Sequence, residues 1–129
     1  MNKEFISIWN VVITVLTMLI GKIDKLLIAL LIFITLDYIT GLACAWKNKE
    51  LNSAVGYAGL IRKGVILTYV IVGNVIDVMV LGNGTVFRTC VIIFYLSNEG
   101  ISLLENGSKL GVPFPEKIKD VLIQLRKDD

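Results

Sequence analysis

The sequence predicts an all-α integral membrane bundle of four transmembrane helices, or three if the first lies on the membrane, plus a C-terminal amphipathic cytoplasmic helix. Three observations carry this reading. Hydrophobic residues fill 55% of the 129 positions and charged residues only 19%, against about a quarter charged in soluble domains. Uncharged runs cover residues 5–21, 26–36, 38–46 and 64–76, and from there to 104 only Asp77, Arg88 and Glu99 interrupt. These runs are apolar nearly all round, whereas a helix on a soluble core carries one stripe. Spans are expected at about 5–20, 26–46, 64–81 and 86–104, within a transmembrane domain of residues 1–111. A basic cytoplasmic tail takes residues 112–129.

The first segment, "FISIWNVVITVLTMLIG", is short for a bilayer core of about 30 Å, which as a helix it spans only with some mismatch. Its polar and small residues, Ser7, Asn10, Thr14, Thr17 and Gly21, are spaced 3, 4, 3, 4 and so share one helix face. The second segment, "LLIALLIFITLDYITGLACAW", holds one acid, Asp37, with Gly41, Cys44 and Ala45 on its side. Such an acid costs roughly 2.5–3.5 kcal/mol in a bilayer on insertion scales.

In the third segment Gly73, Asn74 and Asp77 share a face, and in the fourth Arg88, Tyr95, Glu99 and Ser102 do. The "GNGT" link at 82–85 is short enough to force a tight helix hairpin. It places Asp77 and Arg88 at similar depth, where an ion pair between them is expected. Asp37 and Glu99 fall near mid-membrane with no basic neighbour expected at that level, so the neutral, hydrogen-bonding form is favoured for each. Two roles compete for the stripes and these acids. They join helices through close approach and hydrogen bonds, or they face water when several copies surround a hole.

Basic residues set orientation. Lys3, Lys47, Lys49, Arg62, Lys63, Lys109, Lys117, Lys119, Arg126 and Lys127 fall on one side, and only Lys22 and Lys25 on the other. That puts both termini of a four-span chain in the cytoplasm. Between the second and third spans, Ser53, Gly56, Gly59, Arg62 and Lys63 read as a loop anchor: the glycines let it bend, and the basic pair meets anionic head groups. Pro113 and Pro115 end the fourth helix. Ile118, Val121, Leu122 and Leu125 then recur at helical spacing among basic residues, as an amphipathic helix on the anionic inner leaflet does.

The composition also excludes functions. The chain has no His, and Cys44 and Cys90, read as buried free thiols near opposite faces, lie too far apart to bridge. No nucleophile–base set, phosphate loop or metal constellation appears, so neither enzyme activity nor a cofactor is expected. A net charge of +2 implies no pull on nucleic acid.

At "LDYITGLACAWKNKELNSAVGYAGLIRKG" and "SNEGISLLENGSKLGVPFPEKIKDVL" the chain resembles the toxin-secretion and phage-lysis holin family, over about residues 28–125. The match falls on Asp37, Gly41, Asn52, Ser53, Gly56, Gly59, Arg62 and Lys63, and continues at Glu99, Ser102, Asn106, Leu110, Gly111, Pro113 and Pro115. The resemblance implies a protein of the bacterial cytoplasmic membrane that oligomerises with itself. At a set time it opens lesions that release a cell-wall hydrolase, the endolysin, or a large toxin. A different class stays open on the residues alone: a small proton-coupled multidrug exporter working as a dimer, which would need an acid in an aromatic-lined cavity.

Overall fold

The computed structural model describes residues 2–127. Met1, Asp128 and Asp129, which the two-part division includes, lie outside the described residues. Five helices follow one another: α1 (Lys3–Ile20), α2 (Lys25–Lys47), α3 (Ser53–Val75), α4 (Val86–Lys109) and α5 (Glu116–Lys127). The end of α3 widens into a π-helical turn, Ile76–Val80. Four of these helices are long and apolar enough to cross a membrane: α1, α2, α3 with its π turn, and α4.

Several starts and stops have a local cause. Asp24 accepts the Leu27 N–H at 2.9 Å and Asn52 the Val55 N–H at 2.9 Å, so both act as N-caps for α2 and α3. The link between α2 and α3 is only residues 48–52. α4 ends where Gly111 takes φ +89° and the Val112 N–H reaches back to Gly107 O at 2.9 Å. Pro113 and Pro115 then keep the chain extended until α5 begins.

The core lies among α2, α3 and α4, where Leu27, Leu30, Ile34, Ile66, Val70 and Ile92 are buried together. α5 folds back along α4, and Leu122 lies against Gly100, where an added Cβ would sit 3.0 Å from it and 3.1 Å from Phe33. The expected amphipathic helix is therefore present and rests partly on protein. Ile118, Val121 and Leu125 remain exposed beside that contact, as a second apolar strip. α1 buries no residue and meets the bundle only near its C-terminal end.

Two expectations about the 53–63 region need correction. Ser53, Gly56, Gly59, Arg62 and Lys63 belong to α3, not to a loop, because the Asn52 cap starts the helix eleven residues before the expected span. Gly56 and Gly59 accordingly bend nothing. They make room for Tyr38: a Cβ on Gly59 would lie 3.0 Å from the ring, and the Tyr38 hydroxyl donates to Gly56 O at 3.2 Å.

Candidate functional site

Two polar clusters lie within the bundle. The outer one fastens α1. Arg88, 3% exposed, donates through Nε to Ile20 O at 2.8 Å, through Nη2 to Lys22 O at 2.6 Å and through Nη1 to the Asp24 carboxylate at 2.8 Å. Asn74 donates to Met18 O at 3.2 Å and Leu19 O at 2.8 Å, so the last orphan carbonyls of α1 are satisfied by α3 and α4. Between them passes Gly21, at φ +86°, where a Cβ would lie 2.7 Å from both Arg88 Nε and Asn74 Oδ1. Gly73 is equally enclosed: its Cβ would meet the Arg88 backbone at 3.0 Å.

The expected Asp77–Arg88 ion pair is thereby corrected. The guanidinium pairs with Asp24, because the α1–α2 link folds down onto it. Asp77, 1% exposed, instead accepts the backbone N–H groups of Phe87 at 3.0 Å and Arg88 at 2.9 Å. The carboxylate thus caps α4 from across the hairpin, facing the positive end of its dipole. Burial pushes the Asp24 carboxyl up, but the Arg88 guanidinium and the Leu27 N–H outweigh it and hold the group below its ordinary 3.8.

The inner cluster joins α2, α3 and α4. Lys63 lies between Asp37 and Glu99 and donates to a carboxylate oxygen of each. Asn106 donates to Asp37 Oδ1 at 2.9 Å, to Asp37 O at 3.2 Å and to Thr40 Oγ1 at 3.0 Å. Ser102 and Glu99 lie beside the same carboxylate. Asp37 and Glu99 are each 6% exposed and the Lys63 side chain 12%. The expectation that the two acids have no basic neighbour is overturned, and with it the head-group role of Lys63. Its ammonium lies between acids carried by two other helices.

A cavity of about 350 Å³ opens beside this cluster, between α2, α3 and α4. Asp37, Tyr38, Gly41, Arg62, Ser102 and Asn106 are among its walls. Gly41 admits Asn106, whose amide nitrogen lies 3.7 Å from where a Cβ would be, and the Cys44 thiol donates to Asn106 O at 3.4 Å. Cys90 faces outward on α4, and both thiols are free.

Of the expected stripe only Gly21 joins a cluster, the outer one. Ser7, Asn10, Thr14 and Thr17 are exposed, and the two threonines return their hydroxyls to Asn10 O at 2.7 Å and Ile13 O at 2.8 Å. Asn106 and Ser102 were singled out with the motifs that resemble a known family, and both touch Asp37. The pairing role of Lys63 was missed, although a signal existed. Lys63, Ile66, Val70, Gly73 and Asp77 follow one another by 3, 4, 3 and 4, the repeat of a single buried face. Among the described residues no group of His, Cys, Asp and Glu could hold a metal ion.

The comparisons with known proteins agree along nearly the whole chain. Residues 14–127 match the model of the bacteriophage holin family. A protein of Bacillus phage phi105 named a probable holin is 39% identical over 111 residues, covering 86% of this chain and 81% of the relative. An uncharacterized 14.9 kDa protein from the nagH 3′ region of Clostridium perfringens is 48% identical over 120 residues, or 91% and 90% of the two chains. An uncharacterized Listeria monocytogenes protein is 40% identical over 105 residues, or 81% and 74%. No solved structure matches.

Proposed function

Taking as premise that this chain belongs to the bacteriophage holin family, we propose that it assembles with itself in the bacterial cytoplasmic membrane and opens lesions there. Through them an endolysin or a large toxin leaves the cell. The family match over residues 14–127 is the observation that carries this reading. The family works by forming membrane pores, without catalysis.

The arrangement of the helices supports it. α1 offers its whole circumference, with Ser7, Asn10, Thr14 and Thr17 along one side, as contacts for a neighbouring copy or as a wall toward water. Small and polar residues are what bring helices together in lipid, where apolar surface gives no net drive. Asp37, Gly41, Glu99 and Ser102 act inside one copy, holding α2 to α4. The basic residues of α5 lie beside its exposed apolar strip and suit the anionic inner leaflet. Nothing favours an exporter: Tyr38 is the one aromatic among the walls of the cavity beside Asp37.

Induced expression in bacteria, with membrane potential and escape of a folded cytoplasmic enzyme followed together, tests the proposal. Abrupt loss of potential after a delay, with the reporter crossing once a wall hydrolase is supplied, is the expected result. Continued growth with an intact potential at full membrane levels would overturn it.

A further inference from the structure

We propose that the cavity between α2, α3 and α4 binds a glycerol phosphate, a phosphate ester that also carries hydroxyl groups. The head group of phosphatidylglycerol holds this unit, and so does soluble glycerol 3-phosphate. The inference rests on the walls of the cavity and on their depth in the membrane, and not on the lytic role.

Most of the charge on those walls is already paired. Lys63 donates to Asp37 Oδ2 and to Glu99, and Asp37 Oδ1 accepts from Asn106 at 2.9 Å. Arg62 lines the same cavity, is exposed, and makes no hydrogen bond or ion pair with any described residue. The charge left to a ligand is therefore positive. A guanidinium presents five donors in a fixed fork that fits phosphate oxygens two at a time. Beside it stand uncharged acceptors. The Tyr38 hydroxyl gives its proton to Gly56 O at 3.2 Å and keeps its lone pairs. The Asn106 amide N–H groups are engaged by Asp37 and Thr40, which leaves the carbonyl oxygen. Hydroxyl groups donate to such oxygens, whereas an ammonium would meet Arg62 and find no carboxylate free to pair with.

The depth of the cavity suits a head group. α3 with its π turn runs 28 residues, about 42 Å as a helix, against a hydrocarbon core of about 30 Å. Val78, Met79, Val80 and Leu81, all apolar and exposed, keep its far end in lipid. The surplus of about 12 Å therefore falls in its first turns, and Arg62 stands close to the boundary where phosphates lie. Trp46 and Tyr57, 73% and 67% exposed, mark the same region, as amphipathic rings do at a membrane interface. Gly41 and Ala58 put no more than a methyl group into the space, and the Asn106 amide, at 3.7 Å, is all that comes near a Cβ built on Gly41. At about 350 Å³ the cavity is within the range of small-molecule sites and admits the head group alone.

The experiment is a competition read by native mass spectrometry. Full-length protein, stripped of lipid in mild detergent, is offered equal amounts of phosphatidylglycerol, phosphatidylserine, phosphatidylethanolamine and phosphatidylcholine with matched acyl chains. The expected result is one retained phosphatidylglycerol per chain, enriched about tenfold over each of the others, the scale of one charge-assisted hydrogen bond. Arg62→Gln, at an exposed position, should abolish the enrichment while leaving the thermal midpoint of the lipid-free protein unchanged. Ala58→Leu, exposed as well, should abolish it by filling the cavity with no change of charge. Displacement of the bound lipid by millimolar glycerol 3-phosphate would assign recognition to the head group as a soluble species. No displacement, with the enrichment intact, would assign it to the bilayer lipid. Equal retention of phosphatidylserine and phosphatidylglycerol would overturn the proposal, since negative charge alone would then suffice. Enrichment that survives Arg62→Gln or Ala58→Leu would overturn it too.

Discussion

The outer and inner clusters both set two carboxyl groups against one cation, yet they partner those groups very differently. At the outer end, Asp24 pairs with Arg88 while its side chain keeps 38% of its surface open to solvent. The second acid, Asp77, faces the N-terminal N–H groups of α4, where the helix supplies a partial positive charge. Neither acid depends on the other for its counter-charge. In the inner cluster, Asp37 and Glu99 both sit within helices, far from any terminus, and share Lys63 alone. Identical stoichiometry thus gives a fastening in one place and, in the other, a polar site beside a cavity in which two acids share one ammonium. The lesson is that a count of charges says little until the backbone dipoles and the solvent around each are counted too.

This comparison can be broken most directly at its inner member. Lys63→Met should remove about 3–5 kcal/mol of stability, the scale for losing one partner of a buried ion pair. Thermal unfolding in detergent would register it. Adding Asp37→Asn and Glu99→Gln should restore most of the loss, since no charge then remains uncompensated. If the triple variant is no better than Lys63→Met, the penalty is one of packing and the electrostatic contrast fails.

The outer member should yield less. Arg88→Gln leaves the carbonyls of Ile20 and Lys22 and the half-open Asp24 without their donor, for about 2–3 kcal/mol. The diagnostic is where the damage falls: protease sensitivity should rise in residues 18–24, while the core of α2, α3 and α4 stays protected. Gly73→Ala should cost about 1–3 kcal/mol, because the new methyl meets the backbone of Arg88 and Phe87, which side-chain motion cannot relieve.

The smallest effect is one of pH. The Asp24 carboxyl is held below its ordinary 3.8 in the folded chain. It therefore contributes stability at pH 4 and above, and that contribution is lost as pH falls through the lowered value. Asp24→Asn should be slightly less stable than the parent at pH 6, and the gap should close at the acid end of a titration of unfolding midpoints.

Much of this was legible in the sequence, and the failures share a cause. Long apolar runs with few charges can only be membrane-length helices, so the four segments read plainly. The amphipathic repeat 118–121–122–125 likewise gave α5. The start of α3 was missed because Gly56, Gly59, Arg62 and Lys63 together resemble a basic surface loop, and only the Asn52 cap says otherwise. Arg88 was assigned to Asp77 because hairpin spacing is local information. Its real partner lies 64 residues away along the chain, brought there by the fold of the α1–α2 link. Lys63 was read by its charge and not by its phase with Val70 and Gly73. Partners distant in sequence are set by packing, which no single segment encodes.

The attachment of α1 by its last turn and the following link has one more consequence. About four turns of that helix lie beyond the hydrogen bonds that fasten its end, so whatever associates with them draws on none of those bonds. On the proposed function, growth of an assembly and integrity of its subunit would then be separately adjustable. Substitutions along Ser7, Asn10 and Thr14 would, on that proposal, tune the first without touching the second.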